Sequence, residues 1–202
     1  MNIEDPKIRL SYATGVTLAN NLMAEGLSPE FIDGDAYAAG FMDALTEGDV
    51  KLPYEQAGFV LGEWLQKRKE ELKQINAAEG AAFLEENGKR DGVVTLDSGL
   101  QYEVMQEGNG DSPAATQQVT THYHGTLING LVFDSSVERG QPATFPVNGV
   151  IPGWVEALQL MKTGSKWKLF VPPHLAYGEQ GAGAHIKGNA TLIFEVELLS
   201  IA

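Results

Sequence analysis

The residue types that most often carry catalysis are sparse in this chain, and the pattern that remains is aromatic. Cysteine is absent, which excludes disulfides, thiol nucleophiles and thiolate metal sites. No GxSxG elbow, no GxxxxGK(S/T) phosphate loop and no HExxH pair occurs. Gly181-Ala182-Gly183 lacks the third glycine of a dinucleotide fingerprint. Asp33-Gly34-Asp35 starts like a calcium loop, but Ala38 stands where glycine is required and Ala44 where the closing glutamate should be. His122 and His124 share one face of a strand and could suit a metal; with no third ligand beside them, a solvated sheet edge is the better reading, and no metal is expected. His174 and His185 fall in loops with no ligand spacing to that pair. What is left is Tyr123, Phe133, Phe145, Trp154, Tyr177 and Phe194, drawn from six separate segments of the second half. Such a set either fills a core or lines an apolar pocket, and aromatic content alone favours the core.

These residues sit on a pattern of period two. Leu100, Tyr102 and Val104 oppose Gln101 and Glu103; Val119, Thr121, Tyr123 and Gly125 oppose Thr120, His122 and His124. Trp167, Leu169 and Val171 oppose Lys166 and Lys168, and Leu192, Phe194, Val196 and Leu198 oppose Glu195 and Glu197. Alternation of this kind marks antiparallel strands with one wet face. One short helix fits at 153–160. A curved sheet wrapped on one helix is an α+β design.

The first half is written in helical grammar. Asp5-Pro6 supplies a cap and a first-turn proline for a helix that Gly26 closes, and Ser28-Pro29-Glu30 repeats the start signal for a second helix stopping near Gly48. Pro53 opens a third, expected to run to about Arg90. Leu61, Leu65, Arg68, Leu72, Ile75, Glu79 and Ala82 step by fours and threes along it, a heptad-like stripe. At about 1.5 Å per residue such a helix exceeds ~50 Å and reads as a strut. With four glycines (Gly58, Gly62, Gly80, Gly88), it is expected to be soft, bending near Gly80 or Gly88. The two shorter helices cannot bury Phe31, Tyr37, Phe41, Phe59 and Trp64 alone, so a second copy is the simplest cover. The divisions are therefore 1–52, a helical dimerisation module; 53–92, the connecting helix; and 93–202, the sheet domain.

Composition narrows the partners. Across 202 residues, 43% are hydrophobic and 20% charged, enough for a real core. The 27 acidic against 14 basic residues give a net charge of -13, which repels nucleic-acid phosphates and anionic lipid alike. Neither nucleic acid nor membrane is expected as a partner. The first residues carry no signal-peptide pattern, so the expected compartment is the cytoplasm, or the periplasm if a leader was removed.

The flanks of the aromatic residues carry more information. Tyr123-His124-Gly125, Phe133-Asp134-Ser135-Ser136, Arg139-Gly140, Val150-Ile151-Pro152-Gly153-Trp154 and Ala176-Tyr177-Gly178 follow one another in this order. The series resembles the FKBP-type peptidyl-prolyl cis-trans isomerases over about residues 97–202. The first half, with Ser11-Tyr12-Ala13-Thr14-Gly15 and Phe83-Leu84-Glu85-Glu86-Asn87, resembles the dimeric bacterial macrophage infectivity potentiator subgroup, and within it the small members without a signal.

The resemblance implies isomerisation of the bond before proline, without a cofactor. It implies that Trp154 floors the prolyl ring, with Tyr123, Phe133, Phe145, Val150, Ile151, Ile186 and Phe194 as walls. By the same resemblance the Ile151 amide and the Tyr177 hydroxyl hold substrate carbonyls, and Asp134 sits by the twisted carbonyl, oriented by Tyr123 and Arg139. The implied partners are unfolded or proline-containing polypeptides, a second copy through the N-terminal helices, and the family's macrolide inhibitors (rapamycin, tacrolimus). A chaperone or binding module with secondary isomerase activity is the competing reading. Three departures bear on specificity: Ala143 stands at a common aromatic position, Ala182 at a common aromatic or histidine position, and Ile186-Lys187-Gly188 where Ile-Pro-Pro is usual. A loop with glycine for proline is expected to be looser.

Overall fold

Asp5 caps the first helix by accepting from the amides of Lys7 and Ile8, and Pro6 occupies a first-turn position where its missing N–H costs nothing. This α1 (Pro6–Ala24) buries no residue of its own. The computed structural model describes residues 1–46 and 48–202, which form two compact units, Met1–Glu71 and Leu72–Ala202. The second start signal works differently from expectation. Pro29–Phe31 makes a single 3-10 turn, and the helix itself, α2 (Gly34–Leu45), is capped by Asp33 through the Ala36 amide. Two side chains of the first unit pair: Phe31 and Trp64 lie 5.2 Å apart, with the Arg68 guanidinium over the Phe31 ring.

The long helix, α3, spans Tyr54–Asn87. Its last turns belong to the second unit, and their contacts correct the sequence reading. Phe83 packs on Phe170, with ring centroids 5.9 Å apart. Asn87 donates to the Gln101 side chain at 2.8 Å, Gln101 donates to the Leu84 carbonyl at 2.8 Å, and Arg90 joins Asn87 to Glu103. The residues that touch are therefore Asn76, Gly80, Phe83, Leu84 and Asn87, one position off the heptad-like stripe. The stripe's Ile75, Glu79 and Ala82 are exposed. Gly80 and Gly88, read as points of softness, are close-approach positions. A Cβ would lie 2.4 Å from Thr191 Oγ1 at the first and 2.9 Å from Gln101 Nε2 at the second.

Among the described residues the sheet has seven strands: β1 (Val93–Thr95), β2 (Gln101–Gln106), β3 (Gln118–Leu127), β4 (Val132–Ser135), β5 (Ala143–Pro146), β6 (Lys166–Val171) and β7 (Leu192–Ile201). All pairings are antiparallel in the order β1-β2-β6-β7-β3-β4, with β5 on the same edge of β3 as β4. Three short strands, β1, β4 and β5, escaped the alternation pattern because three or four residues are too few to show a period. The inward face packs on α4 (Pro152–Leu160), whose Trp154, Ala157 and Leu158 are buried with Leu169, Val171, Val196 and Leu198. The outward face is wet away from α3. There Lys166 and Lys168 flank Glu195 at 3.1 and 3.6 Å, and burial, outweighed by these lysines, leaves its carboxyl below the ordinary value. This is the α+β architecture expected.

Candidate active site

Alternation along β3 sends Tyr123 and Gly125 to the inner face, and the turn after β4 brings Asp134 and Arg139 back beside Tyr123. Two buried serines fix this geometry. The Tyr123 amide donates to Ser136 Oγ at 2.7 Å, and the Ser136 amide donates to the Tyr123 carbonyl at 3.0 Å. Ser135 Oγ accepts from the Glu138 amide at 3.1 Å, shaping the turn that carries Arg139. His124 Nδ1 pairs with Ser135 Oγ and His122 Nδ1 with Ser136 Oγ. The two histidines thus support the turn, and among the described residues no group of side chains is suited to hold a metal ion.

Asp134, Tyr123 and Arg139 close a triangle. The Tyr123 hydroxyl donates to Asp134 Oδ2 at 2.5 Å, Arg139 pairs with Asp134 Oδ1, and Arg139 Nη2 donates to Tyr123 Oη at 2.9 Å. The Arg139 guanidinium also lies 5.6 Å from the Tyr123 ring centroid. Partial burial works against the Asp134 charge. The hydrogen bonds from Tyr123 and Arg139 outweigh it and hold the carboxyl below its ordinary value. Burial, reinforced by the bond to Asp134, pushes the Tyr123 phenol up. At neutral pH the triangle is carboxylate, phenol and guanidinium.

Beside this triangle lies a cleft of about 650 Å³. Ten of the eleven site residues expected from sequence line it: Tyr123, Phe133, Asp134, Phe145, Val150, Ile151, Trp154, Tyr177, Ile186 and Phe194. The eleventh, Arg139, stands behind Asp134. Trp154 is 3% exposed and is the hub of the aromatic set. Its ring centroid lies 5.4 Å from Tyr123, 5.6 Å from Phe145 and 5.1 Å from Phe194, the first and last edge-on. Phe133 meets Phe194 edge-on at 5.4 Å. The favoured edge-to-face geometry holds the rings at right angles and leaves a box between them. Gly125 is part of that box, since a Cβ there would lie 2.7 Å from the Phe133 ring.

The cleft has little polar lining beyond the triangle. The Ile151 amide donates to none of the hydrogen bonds among the described residues. The Tyr177 side chain is 41% exposed. Sequence reasoning missed Gly149, Gly183, Ala184 and His185 as lining residues. His185 has no ligand spacing in the sequence, and its place is fixed by the loop bridge between Ala182 and Ile186. The clustered glycines at 178, 181, 183 and 188 were the available signal.

Comparison with known proteins gives the family. Residues 110–199 match the FKBP-type peptidyl-prolyl cis-trans isomerase family, and residues 7–104 match the domain amino terminal to FKBP-type peptidyl-prolyl isomerase. The FKBP-type 22 kDa peptidyl-prolyl cis-trans isomerase of Escherichia coli is 49% identical over 195 residues, covering 95% of this chain and 93% of that protein. Outer membrane protein MIP of Legionella longbeachae is 43% identical over 202 residues, covering 96% and 85%. The crystal structure of FkpA from Escherichia coli superimposes with a TM-score of 0.70 at 35% identity, covering 98% of this chain and 97% of that one. With its aromatic cleft and both family domains in sequence, the chain belongs to the FKBP-type peptidyl-prolyl cis-trans isomerases that carry the amino-terminal domain.

Proposed function

We propose that the cleft isomerises prolyl bonds by desolvation and twist, with Trp154 under the prolyl ring and Asp134 beside the rotating carbonyl. The barrier, about 18–20 kcal/mol, comes from amide resonance. Water stabilises the planar, charge-separated amide more than the twisted one, so an apolar box that strips water favours rotation with no nucleophile. A rate gain of about 10⁵ asks for roughly 7 kcal/mol. Differential binding of the twisted ring by Tyr123, Phe133, Phe145, Val150, Ile186 and Phe194 contributes to that sum. The Ile151 amide and the Tyr177 hydroxyl would anchor the flanking carbonyls.

The observation that carries this reading is the closed triangle at the edge of an aromatic box. Both Asp134 oxygens accept hydrogen bonds, so the carboxylate is fixed in place before substrate arrives. Asp134→Ala is expected to lower kcat/KM on short prolyl peptides about tenfold or more, equivalent to roughly 1.4 kcal/mol of transition-state stabilisation. Full activity in that variant would remove the polar half of the mechanism.

For the first unit we favour dimerisation and client holding. Leu10, Tyr12, Leu45, Tyr54 and Phe59 are each more than half exposed, a surface a second copy would cover. Light scattering that returned a monomer would end this reading. Unfolded or proline-containing chains are the clients such a pair of clefts would hold. Macrolide inhibitors would enter the cleft but bind loosely, since Ala143 and Ala182 line it with methyl groups only. For the compartment, the periplasmic alternative fits a relative named as an outer membrane protein, and the cytoplasmic expectation has no support of that kind. Among the described residues no helix is long and apolar enough to cross a membrane.

A further inference from the structure

One wall of the cleft, Ala182–Ile186, belongs to a loop whose outer side rests on the connecting helix. The loop is tied to itself first. Ala182 and Ile186 exchange backbone hydrogen bonds of 2.8 and 3.2 Å, and the Asn189 amide donates to the Gly178 carbonyl at 2.8 Å. It is then tied to α3. The Asn76 side-chain amide donates to the Gly188 carbonyl at 2.9 Å, a bond of ordinary strength and geometry, and the Asn189 side chain reaches the Lys73 carbonyl at 3.4 Å. The joint has no room to spare: a Cβ on Gly188 would lie 2.2 Å from the Glu179 carbonyl oxygen and 2.7 Å from Lys73 Cγ. Glycine is what lets the loop descend onto the helix here. Only Lys187 separates Gly188 from Ile186, which is 8% exposed and lines the cleft.

Asparagine is a poor choice for a helix interior on propensity alone. Its placement at 76 is explained by the loop carbonyl it holds rather than by the helix it sits in. We propose that Asn76 is a positioning residue, which acts through Gly188 to set the Ala182–Ile186 wall and so the fit of the residues flanking the proline. This rests on the cleft being the prolyl site. The helix that links the two units is then also a support of the specificity wall. It supplies from outside the sheet the restraint expected to be missing when Lys187-Gly188 replaces two prolines.

The test is Asn76→Ala in the full chain. Alanine favours the helix, so a loss cannot be assigned to fraying of α3. The expected result is a KM raised about threefold to tenfold on short prolyl peptides with kcat within about twofold, together with faster amide exchange at residues 182–190. The KM change should differ between peptides that vary in the residue before proline. Gly188→Ala, which disturbs the same joint from the loop side, should shift the same peptides in the same direction, and the double variant should add little. An unchanged KM, a loss confined to kcat, or equal losses on every peptide would overturn the proposal. Exchange at 182–190 decides the joint independently of turnover, while an inactive wild-type chain would instead sink the reading of the cleft.

Discussion

Replacing Gly80 with alanine separates two views of the connecting helix. If the glycine were a point of softness in a free strut, the added methyl would stabilise the helix by up to about 1 kcal/mol. The structure reverses the sign. The new Cβ would stand 2.4 Å from Thr191 Oγ1 and 3.3 Å from Thr191 Cβ, where uncrowded contacts between carbon atoms need roughly 3.5–4.0 Å. Thr191 is 2% exposed and β-branched, so its side chain has little freedom to turn aside. Overpacking of this kind costs about 1–3 kcal/mol. Set against the propensity gain, the net destabilisation is about 1 kcal/mol, a fall in Tm of roughly 2–4 °C for a chain of this size. Thr191→Ala removes the obstructing oxygen. In that background Gly80→Ala should become neutral or stabilising, giving a coupling of about 1–2 kcal/mol, inside the range for touching residues. Thermal unfolding followed by near-ultraviolet circular dichroism reads the unit directly through the Tyr102–Trp167 stack, 4.2 Å apart. A higher Tm for Gly80→Ala alone, with no coupling to Thr191, would restore the soft strut and refute the packed one.

Two further outcomes follow from the same contacts. A fragment of residues 72–202 should unfold at higher urea than one of residues 93–202, because the shorter piece uncovers Phe170, 2% exposed in the whole chain, at a cost of about 1.5–3 kcal/mol; equal midpoints would count against α3 as part of the catalytic unit. For pH, the lowered folded-state pKa of Asp134 means its contribution is present above the ordinary carboxylate value and lost as pH falls through the folded value. The stability gap between wild type and Asp134→Asn should therefore shrink toward acid, and a gap that widened there would contradict the triangle's charge state. With Asp134 42% exposed, solvent screening keeps that gap small.

How much of this was legible in the residues depends on what each contact is made of. The strands of the sheet's centre announced themselves because Val119, Thr121 and Tyr123, or Leu192, Phe194 and Val196, alternate with polar neighbours over enough residues to show a period. The cleft was legible for a different reason. Its aromatic residues are spread over six segments, and only the short motifs around them, with the family they resemble, distinguished a lined pocket from a filled core. Lining by Gly149, Gly183 and Ala184 was invisible, because a residue that contributes backbone and space leaves no chemical signature. The second helix was misplaced by a few residues for a local reason: Ser28-Pro29-Glu30 is a sound start signal, yet the chain spends it on a single 3-10 turn and starts again at Asp33.

The long helix is where apolar periodicity misleads. Its stripe from Leu61 to Ala82 is real in sequence, but the face that meets the sheet is made of Asn76, Gly80 and Asn87 with Phe83 and Leu84. Small residues let backbones approach, and amides satisfy carbonyls and side chains that the approach would otherwise strand. A hydrophobic count scores such a face as solvent. The consequence reaches the chemistry, since the same polar face holds the loop that walls the cleft. Asn76, Gly80 and Asn87 thus mark the side on which the last turns of α3 are docked, whereas Gly58 and Gly62 meet nothing.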